Sequence, residues 1–489
     1  MVAPVLMNPM NIGTIIDAVA AGDPGRAALI VGGRTVTYGE LAAAVDQCAA
    51  GLYASGAAGR RVAVVDSGSL VSLATILAAA RIGGAAALMN PALTAPELRE
   101  LITTSGCADV AVAGETYADR LREAGVAQVL SEAELLREHP FSPSSPTGDA
   151  GYREGLVLFT SGTTGLPKAI SITNGQLIAR TAGVAIPFQT DAAPVVTMMS
   201  VPYFHVGGVV GLLANLYAGN TYVVLPKFDA GEWLSLVEKH RPTLTFMVPT
   251  MLQRILDHPD FARTDMSSMV AIAYGAATAP LELVRRAMAA MPDVAFTNVF
   301  GQTETLGAYT TLLPEDHHDP RRVGSVGRPL PGVEVRVVDP ESGTDVEPGE
   351  VGELWVNTSL HVGEGWLQTG DLGRQDGDGY LYPSGRLKDT INRGGEKFGP
   401  VEVEEALRTH PAIKDVAVAG VSDNEMGQRV GAAVVASEPV SLDELRAHCR
   451  EQIAYFKLPE RLLIVDDIPY SATGKVNRRT LGALITGES

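Results

Sequence analysis

Residues 156–170 read Leu-Val-Leu-Phe-Thr-Ser-Gly-Thr-Thr-Gly-Leu-Pro-Lys-Ala-Ile, and these residue types suit the holding of a polyphosphate. Four hydroxyls, on Thr160, Ser161, Thr163 and Thr164, are interleaved with Gly162 and Gly165. The two glycines let the backbone adopt positive φ and bring its N–H groups close to an anion. Lys168 adds a cation. An apolar run suited to a buried strand leads in. A Walker-type loop would need Gly directly before the Lys and a helix after it. Here Pro167 precedes Lys168 and β-prone Ile-Ser-Ile-Thr follows at 170–173, so phosphates are not expected on a helix N-terminus. A Ser/Thr/Gly cluster alone is also what a solvated turn contains; the complete string is far more specific.

The stretch 160–168 resembles the phosphate loop of the adenylate-forming superfamily, which includes acyl-CoA synthetases, peptide-synthetase adenylation domains and beetle luciferases. Ala169 departs from the pattern, standing where a Gly is common. The resemblance implies ATP held by Thr160, Ser161, Gly162, Thr163, Thr164, Gly165 and Lys168, with the Thr160 hydroxyl also serving catalysis and the metal. Pro-Tyr-Phe-His-Val-Gly-Gly at 202–208 sets His205 beside aromatics and two glycines. A lone His is more often structural. By resemblance, however, this motif lines the carboxylate end of the acyl pocket, whose implied positions are Phe204, His205, Val209, Met247, Tyr274 and Gly275. Peptide-synthetase domains carry Asp where this chain has His205, to pair with an α-amino group, so an amino-acid substrate is disfavoured. Apart from His205 and Glu304 the implied pocket segments are uncharged. That favours a hydrophobic monocarboxylate (fatty, aromatic or terpenoid/steroid-like) over a dicarboxylate, which would want an Arg at its far end.

Tyr-Gly-Ala-Ala-Thr at 274–278 is small and flat enough for a planar base to slide against backbone, although a close-packed turn has the same composition. It is similar to the family's adenine-side loop, which implicates Gly275, Ala276 and Ala277. Asn-Val-Phe-Gly-Gln-Thr-Glu at 298–304 ends an apolar segment with an aromatic ring, a hydroxyl and a carboxylate. Phe300 can stack on the base, with Asn298, Gly301, Gln302 and Thr303 about the nucleotide. Glu304 can help hold Mg²⁺, which keeps several waters and takes only one or two protein oxygens. Asp371, in Trp-Leu-Gln-Thr-Gly-Asp-Leu at 366–372, can accept both ribose hydroxyls or close an ordinary Asx-turn. Arg386 offers a fork suited to phosphate or ribose. By resemblance Lys388 is a hinge, Gly395 and Lys397 approach coenzyme A, and Lys475, after Thr-Gly near the C-terminus, is the electrostatic catalyst. The segment 357–365 is shorter than in most relatives. These motifs follow one another in the family's order from about residue 155 to 480.

Positioning such groups needs a layered scaffold, and the chain supplies its pattern. Residues 60–114 alternate apolar runs at 62–65, 85–89 and 109–113 with helical stretches at 70–81 and 94–104, which reads as βαβαβ. Glu97 stands three residues after Thr94, the spacing of a capping box. Breaker-rich residues 139–153 read as an exposed loop. Runs at 221–225 and 243–248 suit buried parallel strands, each followed by a helix. After Gly324 short alternating segments suit a small antiparallel β unit. Beyond Gly385 come a strand, a helix at 400–409, strands at 416–421 and 430–436, and a helix at 442–453. The expected fold is α/β: a large N-terminal domain, 1–385, of mostly parallel sheets plus a small β unit, and a mobile, smaller α+β C-terminal domain, 386–489.

A chain of 489 residues is expected to divide into two or more domains, and 46% hydrophobic with 19% charged residues is a globular composition. The net charge of −18 argues against nonspecific binding to nucleic acid or anionic membrane. Three cysteines without CxxC spacing suggest neither a disulfide framework nor a zinc site. The apolar run near 206–216 is too short to span a bilayer, and no secretory pattern opens the chain. A cytoplasmic enzyme is expected, its partners being a small carboxylic acid, ATP and coenzyme A, with Mg²⁺; a homodimer is left open. The resemblance implies an acyl-CoA ligase that adenylates the acid and then passes the acyl group to coenzyme A. Two alternatives stand beside it: an acyl-AMP ligase loading a carrier protein, and a non-catalytic nucleotide-binding regulator.

Overall fold

A computed structural model of the chain describes residues 11–65, 68–137, 139, 150–161, 167–185, 195–470 and 476–487. The βαβαβ pattern forms as expected. Strands Arg61–Val65, Ala85–Leu88 and Val110–Ala113 pair in parallel, and helices Leu70–Arg81 and Ala95–Ser105 connect them. Thr94 and Glu97 close the capping box that starts the second helix. Successive strand residues face opposite sides, so Val62 and Val64 enter one core while Ala63 and Val65 enter another. A fourth parallel strand, Gln128–Leu130, at one edge and a hairpin at the other complete a six-stranded sheet. The hairpin consists of β1 (Glu154–Ser161), parallel to Ala85–Leu88, and β2 (Pro167–Thr173), antiparallel to β1. Helix α1 (Asn174–Ala185) leaves β2 without a linker.

The second sheet has nine strands. Its parallel centre runs Ala27–Val31, Thr221–Val224, Val196–Met199, β3 (Leu244–Met247), β4 (Ala271–Gly275) and β5 (Ala295–Gln302). Antiparallel strands finish both edges: Arg34–Thr37 at one, β6 (Gly307–Leu312) and Arg328–Pro329 at the other. Helices Tyr38–Ala54, Leu70–Arg81, α1 and α2 (Val206–Tyr217) fill the space between the sheets, and the core there draws on both. Helices Ala230–His240, Pro249–Asp257 and Leu281–Ala290 cover the far face of the nine-stranded sheet. Ala95–Ser105 and Glu115–Glu123 cover the far face of the other. Strands buried on both faces have no polar side to show, which is why they read as continuous apolar runs.

The expected antiparallel unit is a four-stranded meander of Val333–Val338, Gly352–Thr358, β7 (Leu367–Gln375) and β8 (Leu381–Arg386). A 3₁₀ turn, Leu387–Asp389, leads to the last sheet. There Glu396–Phe398, Ile391–Arg393, Gly427–Ala436 and Ile413–Asp423 pair antiparallel, Arg461–Ile464 joins in parallel, and helices Pro400–Arg408, Leu442–Cys449 and Arg478–Thr486 pack on it. Among the described residues no helix is long and apolar enough to cross a membrane.

Candidate functional site

The carboxyl ends of β3, β4 and β5 lie side by side, with Met247 opposite Tyr274, Tyr274 opposite Asn298 and Gly275 opposite Val299. In a parallel sheet this edge is where ligands bind, because the connecting loops diverge from it. A Cβ on Gly275 would stand 2.0 Å from the Val299 carbonyl oxygen, so only glycine permits this approach. The chain then turns through Ala276 at φ 66°, a left-handed conformation that L side chains rarely adopt. Ala277 follows. Together they present mostly backbone, as a flat ring requires.

Asn298 is buried, and the half-buried Phe300 ring meets Tyr309 edge-on at 5.3 Å. After Gly301 and Gln302 the strand gives way to the 3₁₀ turn Thr303–Thr305. Glu304 is half-buried on that turn, and among the described residues its carboxylate has no hydrogen bond or ion pair. Among them, too, no cluster of three metal-binding side chains exists. One open carboxylate fits Mg²⁺, which takes few protein oxygens and completes its shell with water and phosphate. A zinc or iron site would need more ligands.

Asp371 on β7 and Arg386 on β8 are cross-strand neighbours, joined by an ion pair of 2.9 Å from Arg386 Nε to Asp371 Oδ1. The Asp371 N–H donates to Thr369 Oγ1. Tyr309 on β6 is 1% exposed, and its hydroxyl pKa is held well above the usual phenol value, first by burial and then by the Asp371 charge. The Phe300 ring also packs against Leu354 and Leu381 of the small meander, which joins the meander to this edge of the nine-stranded sheet.

His205 is the N-cap of α2, with extended backbone at φ −108° and ψ 145°. Its N–H donates to Pro202 O, and its ring lies 4.4 Å from that of Phe204. Val209, one turn on, is wholly buried between the sheets. Met247 and Tyr274 turn the other way. Strand alternation sends both side chains into the outer core, where Tyr274 Oη lies 3.0 Å from His317 Nε2. His317 Nδ1 is 2.8 Å from Leu313 O, which can only accept, so Nδ1 carries the hydrogen and Nε2 accepts from the tyrosine. The Met247 and Tyr274 side chains thus pack in this outer core, and their backbone is the part that faces the carboxyl ends of the strands. Phe246, one residue earlier on β3, faces the inner side instead: a Cβ on Gly207 would meet its ring at 3.0 Å.

In the hairpin, Thr160 and Lys168 stand opposite each other, Thr160 half-buried and Lys168 exposed. Ala169 pairs with Phe159 and packs on the core under helices Ala95–Ser105 and Glu115–Glu123, so its methyl is accommodated. The Ser161 side chain, Gly162, Thr163, Thr164, Gly165 and Lys475 lie outside the described residues. Lys388 is exposed on the 3₁₀ turn after β8. Gly395, at φ 98°, donates its N–H to Asn392 Oδ1, and Lys397 forms an exposed ion pair of 2.9 Å with Glu341.

One residue near the site was not singled out from the sequence. Arg180 on α1 is 9% exposed, and its Nε donates to Leu306 O at 2.8 Å while a second nitrogen donates to Ala308 O. Gln176, one helical turn earlier, donates to His361 O, and the Val362 N–H donates to Glu304 O at 2.9 Å. The helix that leaves the hairpin thus holds the residues just after the Glu304 turn directly, and the turn itself through the 361–362 segment. A signal existed: Leu177, Ile178, Arg180 and Thr181 share the buried face of α1, and an Arg on such a face calls for a reason.

Known proteins are similar to this chain along most of its length. The AMP-binding enzyme family matches residues 16–367, and the AMP-binding enzyme C-terminal domain matches 402–475. The chain is 33% identical to an indoleacetate–CoA ligase of Aromatoleum aromaticum over 97% of its own length and 98% of that protein's. It is also 33% identical to a feruloyl-CoA synthase of an Amycolatopsis species, covering 91% of this chain and 93% of the other. The Bacillus subtilis o-succinylbenzoate CoA synthetase, solved with ATP and magnesium ion, superposes with a TM-score of 0.84 at 28% identity, covering 96% of this chain and 99% of that one. The chain belongs to the adenylate-forming AMP-binding enzymes, in their acyl-CoA synthetase branch of AMP-forming acid–thiol ligases.

Proposed function

We propose that this chain joins a hydrophobic monocarboxylic acid to coenzyme A in two half-reactions, using ATP. The observation that carries the reading is Glu304: a half-buried carboxylate open to a ligand, on the turn that follows β5, whose partner strand β4 ends in the flat backbone of 275–277, and braced by the helix that leaves the β1–β2 hairpin. A carboxylate is a poor electrophile, so its oxygen first attacks the α-phosphorus of ATP. The bond from that phosphorus to the bridging oxygen breaks, leaving acyl-AMP and pyrophosphate. Negative charge gathers on phosphate oxygens meanwhile, and the hydroxyl and N–H donors of 160–165, Lys168 and Lys475 are the groups to stabilise it. Mg²⁺, when bound, neutralises phosphate charge, and Glu304 with the Thr160 hydroxyl would hold it. His205 and Phe204 orient the acid, Phe300 and residues 275–277 hold the base, and Asp371 takes the ribose. The thiol then attacks the acyl carbon and AMP departs.

Both half-reactions use one centre, so residues 386–489 turn about Lys388, taking Lys475 away and bringing Gly395 and Lys397 toward coenzyme A. In support, apart from the Asp371–Arg386 pair beside the hinge itself, the ion pairs that cross this junction among the described residues are Lys397–Glu341 and Arg254–Asp467, all four side chains exposed. Exposed pairs contribute little, so exchanging them costs little. The names of the relatives put aromatic acids first among candidates, and the Phe204, His205 and Phe246 rings suit them. Acid-dependent exchange of pyrophosphate into ATP, run on indoleacetate, ferulate, a medium-chain fatty acid and malonate, tests the reading. Exchange with an uncharged-tail acid and consumption of free coenzyme A are expected. Exchange with malonate alone, or with no acid, would overturn it.

A further inference from the structure

Arg180 poses a physical problem. It is 9% exposed, yet no carboxylate stands within ion-pair distance among the described residues, and burial draws its pKa down to about 10. An unpaired buried charge is costly, and the carbonyls of Leu306 and Ala308 offset it only as dipoles. Those two carbonyls belong to an unusual piece of backbone. Leu306 is at φ 54° and Gly307 at φ 102°, consecutive left-handed residues that reverse the chain directly after the turn bearing Glu304. A left-handed leucine is strained and persists only when its surroundings hold it. Arg180 holds it from one side, its planar fork reaching carbonyls on either side of Gly307. From the other side Gln176, on the same face of α1, fixes His361 O, and the next residue's N–H fixes Glu304 O.

We propose that Arg180 is a positioning residue: by fixing Leu306 and Ala308 it sets where the Glu304 carboxylate stands relative to the paired Thr160 and Lys168 of strands β1 and β2, and so how tightly Mg·ATP is bound. Helix α1 is the strut between the two halves of the polyphosphate site, with Arg180 and Gln176 as its attachments. The inference rests on the proposed reading that Glu304 faces the metal–nucleotide complex. It concerns Mg·ATP and not AMP, because AMP carries no β- or γ-phosphate for a metal to bridge.

Calorimetric titration of the full chain with Mg·ATP and, separately, with AMP tests it. R180M should weaken Mg·ATP about tenfold, the size expected when a group orienting a metal ligand is lost, while AMP affinity moves less than about twofold. R180K, which keeps the charge but reaches one carbonyl, and Q176L should each weaken Mg·ATP about threefold on the same grounds. Loss of Arg180 as mere packing would lower the thermal midpoint without separating the two ligands. Equal weakening of both ligands, or of neither, overturns the proposal. Should R180M fail to fold, R180K and Q176L decide it by the same comparison. Wild-type chain that binds no Mg·ATP would sink the ligase reading itself, whereas wild-type binding with unmoved variants sinks only the role of Arg180.

Discussion

Asp371 and Arg386 face each other across β7 and β8, and the arginine donates from Nε to Asp371 Oδ1 at 2.9 Å. The pairing is unequal, since the carboxylate side chain is 7% exposed and the guanidinium 34%. A buried carboxylate that loses its cation keeps its desolvation penalty. R386M is therefore expected to destabilise the fold by about 1–3 kcal/mol, and D371N by less, because the amide oxygen still accepts. Urea midpoints of the two variants, and of D371L/R386M, check this. Recovery in the double variant shows that the charge left behind carried the cost. If Asp371 takes the ribose as proposed, ATP affinity should stay low in D371L/R386M even where its stability recovers.

His317 makes a pH prediction. Its ring is buried and neutral, bridging Tyr274 Oη and Leu313 O, and burial lowers its pKa below the usual histidine value. An unfolded chain then binds a proton more readily than the native one. By linkage, stability rises with pH across the window from the lowered native pKa up to the unfolded value of about 6.5, and is lost as pH falls through it. Wild-type chain should lose thermal stability between about pH 6.5 and 5 more steeply than H317Q, which cannot titrate. Parallel curves for the two proteins would assign the acid sensitivity to carboxylates elsewhere.

Tyr309 carries a hydroxyl that is buried and makes no hydrogen bond among the described residues. Removing an unsatisfied polar atom of this kind is neutral or stabilising, by up to about 1 kcal/mol. Y309F should thus melt at the wild-type temperature or slightly above when no nucleotide is present. If ATP or AMP then stabilises Y309F less than wild type, the hydroxyl meets the nucleotide; an equal shift leaves it a core group beside Asp371.

Much of this was written locally in the sequence. The βαβαβ run at 60–114 folds as read because apolar strands, helical periodicity and the Thr94–Glu97 box agree on one outcome. The absence of a helix after Lys168 was likewise legible, from Pro167 and the β-branched residues behind it. Sheet membership was not. Strand Ala27–Val31 crosses to the nine-stranded sheet, a pairing with Thr221–Val224 that no local pattern encodes. Side-chain direction was the second gap: resemblance supplied positions 247 and 274, but a period of two sends those side chains outward and brings Phe246 in. Arg180 escaped because its partners are backbone carbonyls more than a hundred residues away, and carbonyls leave no mark on a sequence.

The role proposed for Lys475 predicts the sharpest division between the half-reactions. An ammonium at the α-phosphate stabilises charge that develops only while acyl-AMP forms. Thiol attack on the acyl carbon needs that space cleared. K475A should reduce adenylate formation by about 10²–10³-fold, the usual loss for one preorganised donor to a developing oxyanion. Thioester formation from synthetic acyl-adenylate and coenzyme A should stay within a few-fold of wild type. K397A should show the opposite bias: normal pyrophosphate exchange with slower thioester formation, since its exposed pair with Glu341 leaves the ammonium free to exchange partners as the C-terminal part turns. Single-turnover assays of each half-reaction read both variants, and a common loss in the two steps for either residue contradicts the division proposed for it.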